Sequence, residues 1–113
     1  MTFVKSALQD LLVSVKVGSD TADHHATAFL SESAYGACNW YHSYKASGGS
    51  LDAALALFNA VLPEWDWDRS IGGIIMVRTF SLFPPLMFDS KNPIPARALL
   101  IATLKALIAE CDK

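Results

Sequence analysis

Two segments of this 113-residue chain are apolar on nearly every side of a helical wheel. Residues 51–62 are mostly leucine and alanine, and only Asp52 and Asn59 are polar among them. Residues 96–109 repeat the pattern and leave only a narrow polar strip. A helix of this kind is normally buried on more than one face, so each should lie at the centre of the domain or at an interface.

Charged residues are scarce, since they make up 18% of the chain while hydrophobic residues make up 52%. In an average soluble domain about one-quarter of the residues are charged, so this chain has less charged surface than most domains. The shortage favours a protein partner, with a homodimer as the simplest case. The net charge of −2 argues against a nucleic-acid binder held by phosphate contacts. We predict one domain over residues 1–113 that acts without a cofactor.

The cysteines and the N-terminal segment predict a cytoplasmic location. Cys38 and Cys111 are far apart and belong to no CxxC pair, so we expect thiols in a reducing compartment. The N-terminal apolar stretch contains charged residues and therefore does not match a secretory signal. Residues 96–109 are too few to cross a bilayer, which takes about 20 residues, so we expect no membrane insertion.

The first half of the chain predicts two helices and one irregular or extended segment. Apolar residues recur at three- and four-residue steps over residues 3–15, which predicts an amphipathic helix that ends near Gly18. A shorter helix over residues 22–30 follows. The aromatic segment 35–45 has no helical apolar stripe, and it is predicted to be a short strand or an ordered loop.

The second half predicts a helix followed by a hairpin. Ser50 is a good N-cap for the helix over residues 51–62, and Pro63 ends that helix. Residues 65–68 alternate indoles and carboxylates, which predicts a strand with the two tryptophans on one face. Residues 74–80 are β-branched and mostly apolar, so they are expected to pair back as a second strand.

A final helix completes the predicted fold. Asn92 can cap it with Pro93 in its first turn, where a missing N–H costs nothing, and it should run to about Glu110 or Cys111. The elements together predict an α/β (α+β) domain. Its architecture should be a small helix–sheet–helix sandwich with about four helices and a short β-hairpin or three-stranded sheet.

Two stretches of sequence resemble a known family. SLDAALALFNAVLPEWDW, residues 50–67, and ARALLIATLKAL, residues 96–107, are similar to small phage and prophage proteins assigned to the phage ABA sandwich domain. The shared pattern is a Ser-Leu-Asp-Ala-Ala-Leu-Ala-Leu helix, a Leu-Pro-x-Trp-x-Trp strand and a closing helix rich in alanine and leucine. The resemblance implies a helix–sheet–helix sandwich encoded by a phage or prophage, and it implies no particular activity.

Motifs for catalysis or metal binding are weak. The sequence has no glycine-rich phosphate loop, no HExxH and no GxSxG, so nucleotide, zincin and serine-hydrolase functions lose their usual support. His24, His25, Cys38 and His42 are the candidate metal ligands, but adjacent histidines on one helix chelate poorly, and we predict no bound zinc. Cys38 with His25 or His42 as its base is the candidate nucleophile of a small enzyme.

An acidic set and an aromatic set are the candidate partner-binding residues. The acidic set is Glu64, Asp66 and Asp68, three carboxylates expected on one side of a strand. They could hold Mg²⁺ or face a basic partner, although a solvated strand face is the commoner role of such charges.

The aromatic set is Tyr35, Trp40, Tyr41 and Tyr44, which could stack bases, anchor a protein or pack into the core. Base stacking normally needs a basic groove, and only Lys45 lies nearby in the sequence. A protein interface or core packing is therefore favoured, with core packing slightly ahead.

These patterns favour a non-enzymatic phage or prophage accessory protein that acts by binding another protein. Inhibition of a host defence system is the sharper version of this hypothesis, with the acidic set imitating nucleic-acid charge. A small enzyme that uses Cys38 or the carboxylates of Asp66 and Asp68, and a virion or assembly component, are the alternatives.

Overall fold

The computed structural model describes residues 4–18, 22–29, 36–70, 72–79 and 86–111. These residues form five α-helices and one three-stranded antiparallel sheet, which confirms the predicted α+β class with five helices where about four were expected. In chain order the elements are α1 (Lys5–Val17), α2 (Ala22–Phe29), α3 (Gly36–Ser47), α4 (Leu51–Val61), β1 (Trp65–Arg69), β2 (Ile74–Thr79), β3 (Met87–Lys91) and α5 (Pro95–Glu110).

The sheet has the order β1-β2-β3 with β2 in the middle. Its register places Trp67 opposite Val77 and Val77 opposite Phe88, and this row lies on the side that packs against α5. Alternate residues of β2 are buried, as expected for a strand with one face on the core and one facing solvent. The predicted hairpin of tryptophan-rich and β-branched strands is therefore confirmed.

Helix α5 lies at the centre of the molecule. It packs against α1, α3 and α4 on one side and against β2 and β3 on the other. Its side chains are buried from Ala96 to Leu107 except at Arg97 and Lys105. Even the hydroxyl of Thr103 is buried, where it donates a 2.8 Å hydrogen bond to the carbonyl of Leu99. Enclosure by helices and sheet explains why the helix is apolar on nearly every side.

Helix α4 packs between α3 and α5 but keeps one face partly exposed, where Leu51 is 36% exposed. Leu57 and Phe58 are almost completely buried in the shared core. A single chain therefore covers α5 and the inward face of α4. None of the helices described here is both long enough and apolar enough to span a membrane.

The helix ends follow local sequence signals. Helix α1 ends at Gly18, whose φ of 76° places it in the left-handed region that glycine adopts readily. Ser50 caps α4 by accepting a 3.2 Å hydrogen bond from the backbone N–H of Ala53. Both predictions are confirmed.

The predicted start of the last helix was too early, because α5 begins at Pro95. Asn92 instead accepts a 2.9 Å bond from the N–H of Ile94 in the turn before the helix.

The prediction of a strand or loop over residues 35–45 was wrong, because α3 is a helix from Gly36 to Ser47. Its buried side includes three polar residues, Asn39, Ser43 and Ser47. Polar residues on the inward face hide the apolar periodicity by which a helix is normally recognised.

Candidate functional site

Helix α3 carries a partly exposed aromatic surface, formed by Trp40, Tyr41 and Tyr44. Tyr41 is 50% exposed and Tyr44 is 39% exposed, whereas Trp40 is half-buried against the core. The rings of Trp40 and Tyr44 stack with centroids 6.3 Å apart and planes 10° apart. Their spacing of four residues places both rings on one side of the helix. Part of the Trp40 side chain therefore packs into the core, while the two tyrosine side chains are exposed to solvent. Tyr35, the fourth member of the predicted aromatic set, lies outside the described residues.

The ring of Tyr41 is held between its helix neighbours. The ammonium nitrogen of Lys45 lies 5.6 Å from the ring centroid, within the range of a cation–π contact. The imidazole of His42 meets the same ring at an angle, with centroids 6.3 Å apart. These contacts hold Tyr41 in place on the helix surface without burying it.

Beneath this surface, His25 of α2 is completely buried and bonded to two serines of α3. Its Nδ1 lies 2.6 Å from the hydroxyl oxygen of Ser43, and its Nε2 lies 3.3 Å from that of Ser47. The ring of Tyr44 meets the imidazole edge-on at 5.9 Å. The histidine thus joins α2 to the helix that carries the aromatic surface.

The proton positions at His25 follow from the partners of Ser47. The hydroxyl of Ser47 donates its proton to the carbonyl of Tyr44 at 2.8 Å, so it can only accept from the imidazole. The proton of a neutral ring is therefore assigned to Nε2, and Nδ1 accepts from the hydroxyl of Ser43. This assignment satisfies both ring nitrogens.

A serine hydroxyl bonded to an imidazole nitrogen is also the geometry of an activated nucleophile. Ser43 is completely buried, however, so a substrate cannot approach its oxygen in this conformation. The pair is therefore a structural bond between α2 and α3. His25 was among the predicted site residues but Ser43 was not, because no motif marks a serine that lies 18 positions after a histidine.

Of the other predicted metal or nucleophile residues, His24 and His42 form no metal-binding group with His25 among the described side chains. His24 is exposed on α2, and His42 is half-buried beside Tyr41. The side chain of Cys38 lies outside the described residues. Among the side chains that the structure describes, no group of three histidines, cysteines or carboxylates could hold a metal ion.

The acidic set lies on the sheet. Asp66 and Asp68 belong to β1 on its solvent-facing side, but Glu64 precedes the strand, so the prediction of three carboxylates along one strand was wrong for Glu64. Asp66 pairs with Arg78 of β2 at 3.5 Å. Asp68 accepts a 2.7 Å bond from the backbone N–H of Arg69. Solvent exposure and the nearby arginine weaken any field that these carboxylates could present to a partner.

The aromatic and acidic sets occupy different parts of the molecule. Helix α3 packs against α2, α4 and α5, whereas the sheet packs against α5 through β2 and β3. The register also places Asp89 of β3 in the same row as Asp68, with Met76 between them. Sequence analysis missed Asp89 because β3 was not predicted as a separate strand.

Similarity to other proteins does not assign a family to this chain. No protein-family model, curated protein or solved structure matches it. The resemblance of residues 50–67 and 96–107 to the phage ABA sandwich domain therefore stays a prediction. Many of the residues that carry it are buried packing residues, such as Leu57 and Leu104.

Proposed function

We propose that this protein acts by binding another protein through the aromatic surface of α3, and that it is not an enzyme. The observation that carries the proposal is the exposure of Tyr41 and Tyr44 beside the half-buried Trp40. Tryptophan and tyrosine dominate the few residues that supply most of the binding energy in protein interfaces. Their rings provide a large contact area at a low cost in side-chain entropy.

Preorganisation supports the proposal. The stack of Trp40 on Tyr44 and the contact of Lys45 with Tyr41 hold the rings before a partner arrives. The buried bonds of His25 fasten the helix beneath them. Side chains that are already ordered lose less entropy on binding, so more of the contact energy appears as affinity.

The charge of α3 indicates what kind of partner surface would match it. Lys45 is the one charged residue among residues 36–47, which include no carboxylate. An apolar surface with an acidic rim would match these rings and the adjacent ammonium group. If the phage or prophage origin implied by the resemblance holds, the proposed partner is a host protein of a bacterial cytoplasm, with a component of a defence system as the sharper hypothesis.

A capture experiment with matched variants tests the proposal. Wild-type protein, a Tyr41→Ala, Tyr44→Ala variant and a Met87→Ala control would be used to capture proteins from bacterial host lysate, and the affinity for the captured protein would then be measured. Met87 is 55% exposed on β3 and is therefore an equally accessible apolar side chain away from α3. We expect the tyrosine variant to lose at least about tenfold in affinity and the control to lose none. Equal affinities for all three proteins, or no captured protein, would contradict the proposal.

The predicted homodimer has a separate test. The sequence predicts that it uses the helix over residues 51–62 or the helix over residues 96–110, and of these α5 is largely buried within one chain. A second face for another copy is offered on α1 by Val13, 60% exposed, and Val17, 70% exposed, which lie four positions apart. Light scattering after gel filtration is expected to show twice the chain mass. A single-chain mass at micromolar concentration would contradict the predicted dimer. If the protein is a dimer and Tyr41→Ala dissociates it, the partner of the aromatic surface is a second copy of the chain.

The small-enzyme alternative makes a different prediction. Nucleophilic catalysis fails when its nucleophile is removed, whereas a binding protein tolerates the loss of a thiol. We expect Cys38→Ser to keep the fold and full affinity for the captured protein. Loss of the biological effect in Cys38→Ser, with an unchanged fold, would favour the enzyme instead.

A further inference from the structure

We propose that a cleft between α1, β3 and α5 binds a small phosphate-bearing anion. The cleft has a volume of about 310 Å³. Lys16 from the last turn of α1, Lys91 from the end of β3 and Lys105 from α5 line it. Ser90, Asn92 and Asp89 supply the other polar groups at the lining. This site is separate from the aromatic surface of α3, and the proposal does not depend on the proposed function.

The concentration of positive charge is the first observation that supports the site. The protein has nine lysines and arginines and a net charge of −2, yet three of the nine line one small cleft. Asp89 is the one carboxylate-bearing residue among the lining residues. Lysine ammonium groups placed close together repel one another. An anion bound between them would attract each of them and so offset that repulsion.

The fixed position of Lys105 is the second observation. Its ammonium group donates a 2.7 Å hydrogen bond to the backbone carbonyl of Asp89, which ties α5 to β3 at the cleft. An ammonium group has three N–H donors, so two remain after this bond. The bond therefore holds a charged donor in place at the wall of the cleft.

The lining residues favour phosphate over other ligands. Lysine is a common phosphate binder that acts as a point charge, and three of them disfavour a metal cation. The oxygen of Asn92 is already bonded to the N–H of Ile94, which leaves its amide N–H groups as donors for an anion. None of the described residues that line the cleft is aromatic, so these residues offer no platform on which a base could stack.

The size of the cleft indicates a small molecule. Its volume falls at the lower end of the range for small-molecule pockets, roughly 300–1,000 Å³. A phosphorylated metabolite of a few carbon atoms fits this volume and charge. A nucleic-acid backbone or a membrane would instead need a basic surface extending well beyond one cleft.

Calorimetric titration of the whole protein with inorganic pyrophosphate tests the site. The pocket variant is Lys16→Gln, Lys91→Gln, since both side chains are exposed and their replacement leaves the core intact. The control is Lys5→Gln, Arg69→Gln, which removes the same charge at two positions that do not line the cleft. We expect one pyrophosphate per chain for wild type, an affinity at least about tenfold lower for the pocket variant, and a change of less than about twofold for the control. Circular dichroism checks that all three proteins share one fold.

Three results would overturn the proposal. The first is no binding of pyrophosphate to the wild-type protein. The second is an equal loss of affinity in the pocket and control variants, which would show attraction by overall charge alone. The third is binding to vesicles containing phosphatidic acid or to a single-stranded oligonucleotide without binding to pyrophosphate, which would identify a membrane or nucleic-acid surface instead.

Discussion

Two adjacent histidines on α2 provide an internally matched test of the bond between α2 and α3. His25 is completely buried and bonded to Ser43 and Ser47, whereas His24 is exposed. We predict that His25→Ala strongly destabilises the protein and that His24→Ala does not. Both substitutions remove the same side chain from neighbouring positions, so composition and general helix propensity cannot explain a difference between them.

The size of the effect follows from the partners of His25. Its removal leaves the buried hydroxyl of Ser43 without the imidazole acceptor, which costs about 1–3 kcal/mol. Ser47 keeps its bond to the carbonyl of Tyr44 and adds little to this cost. The missing ring opens a cavity that adds about 1–2 kcal/mol at roughly 24 cal/mol per Å³. The total is about 2–5 kcal/mol, against a change within about 0.5 kcal/mol for the exposed His24.

Urea unfolding followed by circular dichroism at one fixed pH measures both variants. The free energy of unfolding should separate them by at least about 1.5 kcal/mol, which is a large share of the stability of a domain this size. A difference below about 1 kcal/mol would refute the reasoning. A chelator is a useful control, because bonds to serines are indifferent to it, whereas a metal site involving His25 would lose stability in its presence.

Three further variants test local features of the fold by the same unfolding measurement. Ser50→Ala should cost about 1 kcal/mol, since it removes the oxygen that accepts from the N–H of Ala53, and an unchanged stability would show that the cap contributes nothing. Gly18→Ala should cost about 1–2 kcal/mol because of the φ of 76°, and a neutral result would mean that α1 can end differently. The combined Asp66→Asn, Asp68→Asn variant should keep the fold and change stability by less than about 1 kcal/mol, and a larger loss would show that these carboxylates support the sheet.

The fold was predictable where hydropathy follows the geometry of an element. Helix α1 and strand β1 show clear hydropathy periods, whereas α4 and β2 are apolar runs with recognisable composition and end signals. Each of the four was predicted within a few residues of its observed bounds. Helix α3 was missed because its buried face contains Asn39, Ser43 and Ser47. Strand β3 was missed because its sequence, MFDSK, is largely polar and exposed.

The candidate sites were less predictable than the fold, because they depend on tertiary placement. The aromatic residues of α3 are close in sequence, so their grouping was visible, but their exposure depends on how α3 packs. Lys16, Lys91 and Lys105 are distant in sequence, and only the packing of α1 and α5 beside β3 brings them to one cleft. No local motif marks such a cluster, so composition and spacing gave no sign of it.

The central position of α5 has a consequence for how the chain folds during synthesis. Helices α1, α3 and α4 and strands β2 and β3 all precede α5 in the chain, yet all of them pack on it. Until the ribosome has released residues 95–110, these elements have no common core to cover their apolar faces. Contacts between segments so far apart carry a loop-closure cost before they return any stability, which slows folding. The nascent chain therefore exposes apolar surface until α5 can join the other elements, and chaperones matter most in that interval.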